Sequence, residues 1–313
     1  MAILDDYQRV AERLGPWERL GDDAEVTAFH DHLADDDAVI ERLAAFDVVV
    51  AMRERTPFPR RRLERLPGLR LLVTTGMRNA SIDLAAAREL GVVVSGTRFL
   101  APPTAELTWG LILAVTRHIC AEDRAMRAGG WQHTIGPELT GRTLGLLGLG
   151  TQGRAVAAIG RAFGMQVLAW SRSLTPERAA EAGAEAVTRE ELLAQADVVS
   201  VHVVLSDETR GLVGARELAA MKPTAYLVNT SRGPIVEEAA LLAALHEGTI
   251  AGAALDVYDT EPLPPEHPLR GAPNTVLTPH IGYASTGTYE VFYRDAVDDV
   301  AAFAAGTPVR LLT

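Results

Sequence analysis

Thr143–Gly153 reads TLGLLGLGTQG. An apolar run ends in three glycines, Gly148, Gly150 and Gly153; a helical pattern follows as far as Phe163, and a second apolar run occupies Gln166–Trp170. Strand, tight turn, helix and strand thus follow one another in a single unit. In that setting each glycine has a separate task. Gly148 permits the turn, Gly150 lets backbone approach a pyrophosphate, and Gly153 lets helix and strand pack closely. The helix N-terminus at Thr151 and Gln152 then offers unpaired N–H groups to phosphate. Outside such a context the same glycines would make only a loop; here they predict a dinucleotide cradle.

The end of the second strand refines the prediction. An NAD-binding unit usually places Asp or Glu there to accept a hydrogen bond from the ribose 2′-hydroxyl. This chain reads LAWSRSLTPE, with Ser171, Arg172 and Ser173 at the tip. No carboxylate repels a 2′-phosphate at that point, and an arginine between two hydroxyls suits one. The expected cofactor is therefore NADP(H) in preference to NAD(H). The plainer alternative is an Arg172 that points to solvent while NAD binds without its usual acid.

Outward from this unit, short apolar runs alternate with helical patterns along most of the chain. Ala2–Leu4, Glu25–Phe29, Phe46–Met52, Leu69–Thr75 and Gly91–Val94 read as one set of strands. Thr143–Leu147, Gln166–Trp170, Val198–Val203, Ala225–Asn229, Gly252–Val257 and Thr275–Thr278 read as a second. Strands apolar on both faces, separated by helices, imply α/β layers with parallel sheets. The break falls near Phe99–Pro103, after which Thr104 is expected to cap one long helix running to Met126, stopped by Gly129 and Gly130. Residues 1–98 and 99–285 thus form two α/β units, and the helix over 288–304 must pack back on one of them.

Composition narrows the functional classes. The 313 residues are 48% hydrophobic with a formal charge of −11, which suits roughly two cored domains and offers no basic stripe for nucleic acid or an anionic membrane. Arg60–Arg62 is the one basic run and reads as a solvated helix start. The single cysteine, Cys120, excludes an intrachain disulfide and fits a reducing compartment. Neither a secretory leader nor an apolar run of membrane-spanning length is expected. His30 and His32 read as solvated residues of a polar loop, so no metal site is expected. There is neither a nucleophile elbow nor a Walker lysine.

Polar residues collect at the ends of three later strands: Asn229-Thr230-Ser231-Arg232-Gly233, then Asp256 followed by Glu261-Pro262, then Pro279-His280-Ile281-Gly282. The carboxyl ends of strands in a doubly wound sheet form the ligand crevice, so Arg232, Glu261 and His280 can converge there. Singly, each has a structural reading: a surface ion pair, a turn, a half-buried imidazole.

TLGLLGLGTQG, LVNTSRGPIVEEAAL, GAALDVYDTEPLP and LTPHIG, in this order and spacing, make the chain resemble the D-isomer-specific 2-hydroxyacid dehydrogenase family over nearly its whole length. The resemblance implies two Rossmann-like doubly wound parallel-sheet domains. A nucleotide-binding domain (99–285) is inserted in a flavodoxin-like substrate domain (1–98 plus 286–313), which explains why the glycines arrive mid-chain. It implies hydride transfer between NAD(P)H and a small 2-oxo or D-2-hydroxy acid of the glyoxylate or hydroxypyruvate kind. Arg232 would pin the substrate carboxylate, His280 would be the general acid/base, and Glu261 would hold its ring and stabilise the protonated form. Thr230 and Asp256 would meet the cofactor, Asp256 at the nicotinamide carboxamide. Gly76 and Met77 would hold the substrate carboxylate through backbone N–H groups, with Arg53 as a further anion contact. The helix over 104–126 corresponds to the family's dimerisation helix, so a cytoplasmic homodimer is implied.

The chain departs from the family pattern in three places. The loop GMRNASID at Gly76–Asp83 is longer and carries Arg78; His202-Val203-Val204 replaces a common His-x-Pro beside the adenine; Gln152 stands where an aliphatic residue is usual. Formate dehydrogenases carry glutamine at the Glu261 position, which excludes that branch. A nucleotide-sensing corepressor of the same fold would keep the same three residues and stands as the alternative function.

Overall fold

Val48–Ala51, VVVA, shows the rule on which the fold is built: all four residues are buried, as a strand covered on both faces requires. The computed structural model describes residues 1–22 and 24–313, and the chain divides into two units, Met1–Leu100 with Ala284–Thr313, and Ala101–Tyr283.

In the first unit β1 (Ala2–Ile3), β2 (Thr27–Ala28), β3 (Val48–Ala51), β4 (Leu71–Thr74) and β5 (Val93–Gly96) form a parallel sheet in the order β2-β1-β3-β4-β5, the flavodoxin-like doubly wound order. The helices Asp36–Leu43 and Leu84–Glu89 start where Asp35 and Asp83 accept the N–H groups of Ala38 and Ala86, each at 2.9 Å. The C-terminal helix Thr286–Ala304 buries Phe292 and Tyr293 in this unit, and Trp17 meets Tyr293 edge-on at 5.6 Å. The tail then runs back along β5, where Leu312 N–H donates to Val94 O and Gly96 N–H to Arg310 O. That pairing covers an edge strand which would otherwise present open backbone groups.

The second unit carries seven parallel strands: β6 (Thr143–Leu147), β7 (Gln166–Trp170), β8 (Glu185–Ala186), β9 (Val198–Val201), β10 (Tyr226–Asn229), β11 (Gly252–Leu255) and β12 (Thr275–Leu277). Their order is β12-β11-β10-β9-β6-β7-β8. This is the Rossmann order with one strand added, and it reverses between β6 and β9. Both units therefore have the α/β, doubly wound architecture expected.

Local expectations fail in instructive places. The single helix over 104–126 is two, Pro102–Thr116 and Ile119–Arg127, broken at His118, whose φ is +53°. The chain returns at Gly136 so close to the Thr116 carbonyl that a Cβ there would collide with it. Thr104 is not the cap: Pro102 and Pro103 open the helix, where a missing N–H costs nothing, and the Thr104 hydroxyl donates to Gly282 O at 3.1 Å. The strand β8 was too short and polar to register. Arg62 is not solvated but 4% exposed, with its Nε donating to Asp36 at 3.0 Å. His30 and His32 also depart from the solvated reading. The His30 Nδ1 lies 3.3 Å from Asp6 and the His32 Nδ1 3.0 Å from Asp5, both buried carboxylates at the tip of β1.

One buried carboxyl links stability to pH. Asp299, on the C-terminal helix, is fully buried; burial pushes its carboxyl up to about 7, against the opposing pull of Arg310, whose guanidinium lies 2.9 Å away, while Asp295 and Asp298 add to the rise. An unfolded aspartate loses its proton near pH 4. Between about pH 4 and 7 the folded chain thus holds the extra proton, and stability contributed by this group falls as pH rises through that window. Relative to wild type, Asp299→Asn should be near neutral at pH 4–5 and stabilising at pH 8, measured by urea unfolding. A variant destabilised at pH 8 would mean the charged pair with Arg310 is net favourable.

Candidate active site

The glycine turn has the form a dinucleotide needs. Gly148 has φ +104°, and a Cβ on it would sit 2.7 Å from the His202 carbonyl; a Cβ on Gly153 would collide with the Gly148 carbonyl. Those two glycines are consumed by close packing. Gly150 differs: it caps the helix Thr151–Ala162, and a Cβ there would meet nothing within 4 Å. Open space at a helix N-terminus, beside backbone forced close by its neighbours, fits a pyrophosphate. The Gln152 Nε2 donates to Ala101 O at 3.0 Å, which leaves its buried Oε1 without a donor among the described residues. Burial holds the neighbouring His202 imidazole down to about 4, so it is uncharged at neutral pH, and its Nε2 lies 2.9 Å from Ser200 Oγ. Thr230 Oγ1 shares a hydrogen bond with Thr108 at 2.8 Å, tying the β10 tip to the helix Pro102–Thr116.

Beyond β7, the Leu174 N–H donates to Ser171 O at 3.1 Å, closing a turn with Arg172 and Ser173 at its centre. Arg172 pairs with Glu208, from the loop after β9, while both side chains stay largely exposed. Arg178 reaches the Ser173 carbonyl and Arg154 the Arg178 carbonyl. Neither arginine was foreseen; Arg178 lies in the first turn of the helix that follows β7, and Arg154 in the first turn of the helix after β6.

β10, β11 and β12 are adjacent and level, with Asn229 beside Leu255 and Leu255 beside Leu277. Their carboxyl ends therefore bring the Arg232, Glu261 and His280 loops to one edge of the sheet. The His280 Nδ1 lies 2.5 Å from Glu261 Oε2. The other glutamate oxygen accepts the Tyr258 N–H at 2.9 Å, so the carboxylate is fixed before it meets the imidazole. His280 itself has φ +53°, a conformation that costs energy outside glycine. Asp256, 1% exposed, maintains it: Oδ1 accepts from Thr278 Oγ1 (2.6 Å) and the Ile281 N–H (2.9 Å), and Oδ2 from the Gly282 N–H (2.8 Å). Burial pushes the Asp256 carboxyl up, and these hydrogen bonds oppose it. The sequence suggested Asp256 as a cofactor contact; clamping the histidine loop was not legible, because it depends on β11 and β12 being neighbours. Arg232 is anchored through NH1 on the Ser231 carbonyl at 2.7 Å, and Asn229 Nδ2 donates to Arg232 O at 2.9 Å. Gly233, next to it, packs so tightly on the Tyr258–Asp259 backbone that a Cβ would collide, which locks the arginine loop onto the glutamate loop.

Arg53, Gly76 and Met77 form a group in the first unit, at the tips of β3 and β4. Arg53 has φ +53°; its N–H donates to Thr75 Oγ1 (2.8 Å) and its NH1 to Thr75 O (2.9 Å). The Gly76 N–H already donates to Thr97 Oγ1 at 2.8 Å, whereas that of Met77 has no acceptor among the described residues.

A glycine cradle after β6, with an imidazole–carboxylate pair at the ends of β11 and β12 on the same Rossmann sheet, fits a nicotinamide-dependent oxidoreductase. Comparison with known proteins makes the class specific. The NAD-binding domain model of the D-isomer specific 2-hydroxyacid dehydrogenases matches residues 109–282. The glyoxylate reductase of Aeropyrum pernix is 44% identical over 254 residues, 78% of this chain and 76% of that protein. The glyoxylate reductase of Korarchaeum cryptofilum is 37% identical over 86% of this chain and 82% of that protein. Among solved structures, a phosphoglycerate oxidoreductase from Vibrio cholerae superposes with a TM-score of 0.94 at 40% identity, covering 97% of this chain and 98% of the other. The chain belongs to the D-isomer specific 2-hydroxyacid dehydrogenase family. It is an oxidoreductase acting on CH–OH donors, with a nicotinamide cofactor and a small acid as substrate.

Proposed function

We propose that this chain reduces small 2-oxo acids of the glyoxylate and hydroxypyruvate class with NADPH, as a cytoplasmic homodimer in which residues 1–98 and 286–313 carry the substrate and 99–285 the cofactor. The observation that carries the reading is the 2.5 Å contact between Glu261 and the His280 Nδ1. With Nδ1 engaged by a carboxylate, Nε2 is the nitrogen left to give up a proton. Reduction of a 2-oxo acid needs a hydride at the carbonyl carbon and a proton at the carbonyl oxygen, and bound reduced nicotinamide supplies the hydride. His280 Nε2 delivers the proton as negative charge builds on that oxygen. Glu261 stabilises the ring while it is protonated, and Asp256 keeps the loop aimed. The Arg232 guanidinium pins the carboxylate and polarises the carbonyl. The Met77 N–H is a second carboxylate donor, and Arg53 a further anion contact. The turn that Gly148 and Gly153 close by packing receives the pyrophosphate at Gly150 and at the N–H groups of Thr151 and Gln152.

NADPH is preferred because Ser171, Arg172 and Ser173 offer a cation and hydroxyls at the β7 tip, and the carboxylate that reaches Arg172 there, Glu208, comes from the loop after β9. Arg172→Ala should weaken NADPH about tenfold or more, the worth of a charge-assisted contact, with NADH little changed; titration of both cofactors checks it, and equal weakening would refute the 2′-phosphate contact. Support for a reductase also comes from the names of the matched relatives, which are enzymes rather than nucleotide sensors. A homodimer is supported by an exposed apolar run in the second unit, where Met126, Trp131 and Ile135 are 58%, 71% and 98% exposed, a pattern typical of association surfaces. Sedimentation at the mass of a single 33.5 kDa chain at micromolar concentration would contradict it. The lone Cys120 supports a reducing compartment, and no helix among the described residues is long and apolar enough to cross a membrane.

A further inference from the structure

β9, β6 and β7 are neighbours in that order. The tips of β7 and β9 therefore stand about 10 Å apart with the glycine turn of β6 between them. Arg172 leaves the β7 tip and Glu208 lies in the loop beyond β9, and their side chains meet as an ion pair across that interval. The glutamate is carried on a built loop. The buried Thr209 hydroxyl donates to Val204 O at 2.6 Å and accepts the Ser206 N–H at 2.8 Å, and the Arg210 N–H donates to Ser206 O. The pair thus spans the mouth of the cradle on the side where the residues after β7 meet the ribose 2′ group.

We infer that Glu208 limits the chain's discrimination in favour of NADP(H), as the counter-ion of Arg172 that a 2′-phosphate has to displace. The inference rests on the NADP(H) reading above. A cofactor with a 2′-hydroxyl leaves the guanidinium–carboxylate pair intact. A 2′-phosphate takes the guanidinium for itself, and Glu208 must turn away from a group carrying nearly two negative charges. Affinity for NADPH is therefore lower than Arg172 alone would give, and NADH is not penalised. Both side chains are more than half exposed, 62% and 64%, so the effect is modest and sensitive to salt.

Titration of NADPH and NADH onto the wild type, Glu208→Gln, Arg172→Ala and the double variant tests this. Glu208→Gln should tighten NADPH by about two- to fivefold at low salt, shrink that gain at high salt, and leave NADH unchanged. On the Arg172→Ala background the gain should shrink, because no guanidinium then holds the carboxylate at the mouth of the cradle. The inference is overturned if Glu208→Gln leaves NADPH binding unchanged or weaker, tightens NADH equally, or keeps its full effect without Arg172. The two readings separate cleanly. A selective loss of NADPH in Arg172→Ala with a silent Glu208→Gln keeps the NADP(H) reading and removes Glu208 from it. An Arg172→Ala variant with no selectivity removes both.

Discussion

His280→Gln is expected to lower kcat for 2-oxo acid reduction by roughly 10²- to 10⁴-fold, the range for loss of a positioned general acid, with the dissociation constant for the cofactor essentially unchanged. Glutamine keeps polarity and approximate size but delivers no proton at neutral pH. Its side-chain Nε2 can still donate a hydrogen bond to the Glu261 carboxylate, so the loop held by Asp256 through Thr278, Ile281 and Gly282 should persist. The separation of rate from cofactor affinity is the diagnostic feature. Steady-state kinetics and a cofactor titration on the same preparation measure both, and a rate near wild type would remove the imidazole from the chemistry.

Arg232→Ala should damage binding and rate together. Losing a charge-assisted contact to the substrate carboxylate should raise KM by about 10- to 100-fold. Losing a donor that strengthens as the carbonyl oxygen becomes negative should cost a further 10²–10³ in kcat. The loop is expected to survive the truncation, because Asn229 holds it through the Arg232 carbonyl and Gly233 packs on the Tyr258–Asp259 backbone, neither of which needs the side chain. An unchanged KM would contradict carboxylate pinning, even if kcat fell.

The difference between these variants and Arg172→Ala reflects what local sequence can carry. A run such as VVVA is apolar on both faces and announces a covered parallel strand, and TLGLLGLGTQG places a tight turn between strand and helix, so the fold class was legible. Arg232, Glu261 and His280 stand out because each follows an apolar run directly. Their gathering at one edge follows from the order β12-β11-β10, a long-range fact. The same limit explains what was not legible. The carboxylate of Asp256 serves a loop about 25 residues further on, and the Arg172–Glu208 pair joins the tips of strands with another between them. The helix breaks at His118, beside a backbone that returns at Gly136. Arg62, His30 and His32 looked solvated because their aspartate partners lie far away in the chain. In every case the deciding neighbour is distant in sequence, and a local pattern has no access to it.

The central claim is that the imidazole of His280, held by Glu261 at the strand ends beside a dinucleotide cradle, protonates a 2-oxo acid as it is reduced. The most direct measurement mixes the wild-type protein with NADPH or NADH and a panel of 2-oxo acids from glyoxylate and hydroxypyruvate to pyruvate and larger acids, and follows the nicotinamide absorbance. Multiple turnovers with the smaller acids, faster with NADPH, are the predicted result. Tight cofactor binding without appreciable oxidation by any acid of the panel would contradict the account.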